Sequence, residues 1–319
     1  MLPVDLQGRL DDYLSLRRAL GFEMRSEERL LRDFVLFVET RGEDGCLRAE
    51  TAVAWACSTA DRCGPGCQAR RLSIVRGFLT FLRADAPETG VPSLGVLKRP
   101  LRATPHIYSE GEVNALLAAA RRLGPTGSGS LWPVTFTTLI RLLLSTGLRV
   151  GEALRLQVTD VQLDEDPPRL VVTQTKFRKS RLVPLHSSAA EALRGYAKRT
   201  RHIAHDRRCQ AFFVSARSRP LHYHTVSRTF LLLARRIGLR DPAKHKRPTL
   251  HGFRHTFAVR RLLAWYHGGA DIHARLPELS VYLGHVRPQE TYWYLTATPE
   301  LLRLASDRFE AYVEKGTRS

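Results

Sequence analysis

No run of 18 apolar residues occurs in the 319-residue sequence, which argues against a helical membrane span. The opening stretch "MLPVDLQGRLDDY" lacks a basic segment followed by an apolar one, so no secretory signal is expected and the protein is expected in the cytoplasm. Histidine is missing from residues 1–100, and cysteine is confined to positions 46, 57, 63, 67 and 209. An odd number of thiols outside a secretory context argues against a disulfide framework. "CSTADRCGPGC" does not show paired C-x2-C spacing, and only Cys46 is left to complete a four-thiolate zinc set. Buried or free thiols are therefore expected at Cys57, Cys63 and Cys67, with no metal. Repeats of 20–50 residues and low-complexity tracts are absent too, which argues against solenoids and arrays.

Acidic residues are also short: 31 Asp and Glu face 50 Lys and Arg, for a net charge of +19. Residues 1–100 are nearly balanced, with 15 basic and 14 acidic groups, so residues 101–319 carry almost all of the excess. An imbalance on that scale fits a polyanionic partner, most simply nucleic acid. The plain alternative is a basic composition with no partner behind it, since arginine far outnumbers lysine.

The apolar periodicity predicts helices at 4–20, 26–41, 49–61 and 67–84, a small all-helical domain over 1–93. Residues 94–108 read as a Pro- and Gly-bearing basic linker, and a second domain spans 109–319. Ser109 and Glu112 have capping-box spacing before the next helix. Helices follow at about 131–145 and 149–158. "RLVVTQT" (169–175) and "SRLVPL" (180–185) alternate as two strands of a hairpin with a basic tip. Helical periodicity returns at 187–204, 223–237, 250–266, 275–284 and 299 to about 315. The fold class is thus mainly α with a small β-sheet.

Four stretches carry candidate chemistry. "LLLSTGLRVGEALRL" (142–156) breaks a helix at Ser-Thr-Gly and restarts it at Arg149, with Thr146 or Ser145 as expected cap and Glu152 suited to the dipole. A cation at a helix N-terminus faces the wrong end of that dipole, whereas a guanidinium beside free N–H groups is a good oxyanion seat. "TKFRKSRLVPL" puts Lys176 in the hairpin turn. "LHGFRHTF" spaces His251 and Arg254 onto one helix face, and "YLGHVRPQETYWYL" supplies His285 and Tyr294. Taken singly, each has an ordinary structural explanation: a solvated lysine, a surface pair, a helix C-cap, a core aromatic.

In this order, the four stretches resemble the boxes of the tyrosine recombinase family, the lambda-integrase-like proteins that include phage integrases, Xer recombinases and Cre. "TGLRVGEALRL" resembles its first-arginine box, "TKFRKSRLVPL" its lysine-bearing hairpin, "HGFRHTFA" its His-x-x-Arg box, and "YLGH…TYWYL" its Leu-Gly-His box with the nucleophile. The resemblance covers about 109–315. It implies a helical, SAM-like core-binding domain over 1–93 and a catalytic domain over 109–319. It also implies site-specific strand cleavage and rejoining through a 3′-phosphotyrosyl intermediate. By that resemblance Tyr294 is the nucleophile, and Arg149, Lys176, His251, Arg254 and His285 complete the site. The implied partners are double-stranded DNA and a homo-tetramer on synapsed sites, with the C-terminal helix docking on a neighbour. Tyr294 rather than Tyr292 lies at the family's distance from the Leu-Gly-His box. The stretch "AWYHGGADIHARLPELSVYLGH" is a few residues longer than in compact Xer-type members.

The chemistry needs these residue types. A phenolate conserves phosphodiester energy in a covalent bond, two guanidiniums match the nonbridging oxygens, and an ammonium can protonate the leaving 5′-oxygen. Arginines take the role that Mg²⁺ plays elsewhere, so no cofactor is expected. The alternatives to this reading are a type IB topoisomerase-like strand transferase, a metal-dependent nuclease using His251, His255 and His285, and a non-catalytic DNA-binding protein.

Overall fold

The computed structural model describes residues 5–41, 47–61, 63–98, 100, 104–124, 131–173, 180–203, 209–215, 217–239, 248–296 and 298–316. The chain divides into two compact units, Met1–Ala103 and Thr104–Ser319, at a point inside the stretch read as a linker.

The first unit is built from α1 (Leu6–Ala19), α2 (Arg25–Thr40), α3 (Ala49–Cys57) and α4 (Pro65–Leu82). Asp5 caps α1 by accepting from the Gly8 N–H at 2.9 Å, and Pro65 opens α4, where a missing N–H costs nothing. Leu10, Leu31, Phe34, Val35, Trp55, Val75, Phe78 and Leu79 interdigitate as its core. Arg71 is buried over the Trp55 ring, its Cζ 3.8 Å from the centroid, while the Trp55 indole donates to Asp33 at 3.0 Å.

The cysteines depart from expectation. Cys63 and Cys67 form a disulfide across the "CGPGC" turn. Pro65 starts the helix between them, and one helical turn brings their Cα atoms to 5.6 Å, within bonding range. Cys57 and Cys209 are free and half-buried, and Cys46 lies outside the described residues.

The second unit contains α5 (Glu110–Arg121), α6 (Trp132–Thr146), α7 (Val150–Arg155), α8 (Ser187–Ile203), α9 (Tyr223–Arg236), α10 (Leu250–His267), α11 (Ile272–Leu283), α12 (Gln289–Tyr292) and α13 (Pro299–Gly316). A short antiparallel sheet, β1 (Val161–Gln162), β2 (Arg169–Val172) and β3 (Arg181–Pro184), lies among the helices in the order β1-β2-β3. Leu170 pairs with Val183 and Val172 with Arg181. The turn residues 174–179, Lys176 among them, lie outside the described residues.

Helices α6 and α10 are the buried axis of this unit. Phe136, Leu139, Ile140 and Leu143 of α6 are at most 1 % exposed, and every residue of α10 from Gly252 to Val259 is buried. The Ser109–Glu112 capping box is present in both directions. Tyr108, inside the stretch read as a linker, instead packs on Phe253 and donates its backbone N–H to Thr256. No helix among the described residues is long and apolar enough to cross a membrane.

Candidate active site

The α6–α7 junction sets the first guanidinium. Gly147 ends α6 with φ +62°, and an added Cβ there would lie 2.6 Å from the Phe257 ring, so only glycine fits. The cap expected of Thr146 or Ser145 does not form. Both hydroxyls sit in the last turn of α6 and donate to the Leu142 carbonyl, because Gly147 and Leu148 are needed to redirect the chain. Arg149 is itself the N-cap residue of α7, and Glu152 reaches back to accept its backbone N–H at 3.0 Å.

Three further segments converge there. Arg254, one turn into α10, is 1 % exposed; it donates to the Gly147 carbonyl at 2.9 Å and to the Leu283 carbonyl at 2.8 Å. Arg149 donates to the next carbonyl, Gly284, at 3.5 Å, and to the Glu152 carboxylate at 3.0 Å. Gly284 ends α11 with φ +70° and hands the chain to His285, whose Nδ1 shares a 2.7 Å hydrogen bond with the Thr291 hydroxyl. Tyr294, in the 3-10 turn Trp293–Thr296, is 2 % exposed; its ring stacks on His285 with centroids 6.1 Å apart and packs on His255 at 5.5 Å. His251 is exposed, one turn before His255, with 4.6 Å between the two ring centroids.

Arg149, His251, Arg254, His285 and Tyr294 thus gather around the ends of four helices, while Lys176 lies outside the described residues. Tyr292 is 46 % exposed, whereas the Tyr294 ring is buried. Among the described residues no three His, Cys, Asp or Glu side chains form a metal-ligand set, so His251, His255 and His285 do not combine as one.

The electrostatics of the cluster follow from burial and from the crowding of its guanidiniums. Burial, and then repulsion from Arg149, brings Arg254 down to about 10, still charged at neutral pH. Burial, and then the Arg254 and Arg149 charges, pushes His285 down to about 3, so its ring is neutral. Burial also acts to raise Glu152, but the hydrogen bonds and charge of Arg181, followed by Arg149, outweigh it and hold the carboxyl at about 2. Arg149 and Arg181 therefore share one carboxylate, whose charge also acts on Arg254.

Sequence reasoning missed Arg181, read only as part of a hairpin, and saw in Glu152 only a dipole partner. The signal was the period of the strand, which puts Arg181 on the same face as buried Val183. Gly284 is doubly constrained: besides its positive φ, an added Cβ would lie 2.7 Å from Arg181 Nη1. A Gly284→Ala variant is expected to lose about 1–2 kcal/mol of stability from the left-handed backbone alone. A urea titration checks this, and an unchanged midpoint would contradict it.

A model of the phage integrase family matches residues 108–300. A protein of Sinorhizobium fredii named as an integrase/recombinase is 40% identical over 311 residues, covering 97% of this chain and 98% of that protein. The tyrosine recombinase XerD of Rhizobium meliloti is 31% identical over 293 residues, covering 90% and 88% respectively. Among solved structures, the Tn1549 transposon integrase in complex with transposon right end DNA is similar in fold, with TM-score 0.68 at 16% identity over 95% of this chain and 98% of that one. A lambda integrase tetramer bound to a Holliday junction gives TM-score 0.63 at 18% identity over 92% and 78%.

Proposed function

The chain belongs to the phage integrase family and is a tyrosine-type recombinase, and on that premise we propose that Arg149, Arg254 and His285 seat a scissile DNA phosphate for attack by Tyr294. The observation that carries this reading is the placement of both guanidiniums on the consecutive carbonyls of Leu283 and Gly284, directly before His285, with the Tyr294 ring stacked on that histidine.

The Tyr294 oxygen attacks phosphorus, a 3′-phosphotyrosyl bond forms, and the bond to the 5′-oxygen breaks. Negative charge grows on the nonbridging oxygens, which the fixed guanidiniums match in direction and charge. In this reading the Thr291 hydroxyl, 2.7 Å from Nδ1, is the donor there, so neutral His285 carries its proton on Nε2 and gives the phosphate a further hydrogen bond. His251 receives the phenol proton and Lys176 protonates the departing 5′-oxygen. Religation runs the same steps backward with a new 5′-hydroxyl.

The substrate in this reading is duplex DNA. Residues 1–93 supply the helical core-binding unit, and residues 109–319 the catalytic one. The working assembly is a homo-tetramer on two synapsed sites, acting in the cytoplasm, with α13 docked on a neighbouring copy. The tetrameric lambda integrase structure and the basic second unit support this.

A binding and cleavage assay at graded salt tests it. Contact with about ten phosphates gives a log–log salt slope near −9. Cleavage on naked DNA should persist in EDTA, since the charge on the phosphate is met by arginines. A flat salt response, or cleavage abolished by chelation and restored by Zn²⁺ or Mn²⁺, would contradict the reading.

A further inference from the structure

We propose that Arg181 is a positioning residue for strand cleavage, holding Arg149 and the His285 turn in register with each other through Glu152 and Gly284. The inference rests on the phosphate seat described above and adds to it a residue that does not touch the phosphate.

Arg181 sits in β3 with its side chain 9 % exposed. Its guanidinium meets Glu152 as a fork, Nη2 to Oε2 at 2.8 Å and Nη1 to Oε1 at 3.2 Å, while Nε donates to the Tyr282 carbonyl at 2.9 Å. The plane lies against Gly284, close enough that a Cβ there would meet Arg181 Cζ at 2.9 Å. Arg149 touches the same two groups, the Glu152 carboxylate at 3.0 Å and the Gly284 carbonyl at 3.5 Å. The carboxylate is the shorter of these anchors, so whatever orients Glu152 orients Arg149. Both carboxylate oxygens accept from both arginines, counting the Arg149 backbone N–H, which leaves Glu152 little freedom to rotate. A lysine could replace the charge but not the fork together with the Nε bond. Arg181 also pairs with Val172 in the β2–β3 ladder, so the same side chain ties that ladder to the seat.

The groups facing Glu152 set what removal of Arg181 would do. They are Arg149 on its own helix start, Arg181 on β3 and Arg254 on α10, with Arg155 and Asp160 lining the same hollow. Without Arg181, a buried carboxylate keeps Arg149 as its sole direct hydrogen-bond partner among these. Its proton affinity rises, and protonation releases Arg149 as pH falls.

The test uses the full chain in single-turnover cleavage of a nicked suicide duplex drawn from the DNA flanking its own gene, from pH 5 to 8, with binding measured alongside. Arg181→Met should bind DNA within about twofold of wild type, because one cation that touches no phosphate is lost. It should cleave about 10²-fold more slowly, the scale of a small misplacement of a reacting group. Below about pH 7 its rate should fall more steeply with acid than that of wild type, whose own decline reports the His251 that takes the phenol proton, and Glu152→Gln in the Arg181→Met background should remove the excess. Arg181→Lys should fall between. Cleavage by Arg181→Met at the wild-type rate, with a superimposable pH profile, would overturn the proposal. If Arg181→Met fails to melt cooperatively, Arg181→Lys decides: slowed, acid-sensitive cleavage supports the role, and wild-type behaviour overturns it. Wild type forming no adduct, or one that persists in Tyr294→Phe, would instead sink the reading of the phosphate seat itself.

Discussion

A Tyr294→Phe variant should form no covalent adduct with DNA and still bind it within about twofold of wild type. Only a hydroxyl is lost. The ring contacts with His285, His255 and Trp293 are made by carbon, and the arginines that give the seat its charge are untouched. Removing a nucleophile for which nothing substitutes costs on the order of 10⁶-fold, so the adduct should fall below detection on a denaturing gel. Tyr292→Phe should keep the adduct, since Tyr292 is 46 % exposed and outside the stack of rings around His285. An adduct that survives in Tyr294→Phe and disappears in Tyr292→Phe would move the nucleophile by two residues.

Lys176→Ala should slow cleavage by about 10²–10⁴-fold, the range for losing a general acid. The assignment comes from the family resemblance, which aligns the catalytic lysine with the first position of "KFRK". Lys179 is the rival, and Arg178 is unsuited because a guanidinium does not give up its proton. A substrate with sulfur at the 5′-bridging position separates the roles, because a thiolate leaves without being protonated. It should restore most of the Lys176→Ala loss. It should not rescue Arg254→Ala, where the missing element is stabilisation of the nonbridging oxygens, worth about 10²–10³-fold for one donor. Loss in Lys179→Ala, rescued by sulfur, with Lys176→Ala unaffected, would reassign the acid.

Much of the site was legible because its residues lie at punctuation marks of the chain. Gly147 and Gly284 end helices in left-handed conformations, and Arg149 and His285 follow them within two residues. Arg254 stands one turn into a helix whose cap, Thr249, could be read directly. The helical periods placed the long helices of both units, and strand alternation placed β2 and β3. The two-residue strand β1 and the helix α12 carry too few residues for any period to register. The 3-10 turn that holds Tyr294 was invisible for the same reason. Arg181 was missed because a charged residue on a short strand reads as surface, and its burial depends on Glu152 from another element. The Cys63–Cys67 bond was missed because the argument rested on compartment and cysteine count, not on the one-turn reach across Pro65.

The most direct test of the phosphate seat is the chemical identity of the residue that becomes attached to DNA. Wild-type protein is trapped on a nicked suicide duplex, the DNA is digested with nuclease, and the tryptic peptide "LPELSVYLGHVRPQETYWYLTATPELLR", uncut at its Arg-Pro bond, is fragmented in a mass spectrometer. The account predicts a nucleotide phosphate on the Tyr294 oxygen, with Tyr292 unmodified in the same peptide. A nucleotide on Tyr292 or on another residue, or cleaved DNA with no peptide attached, would contradict it.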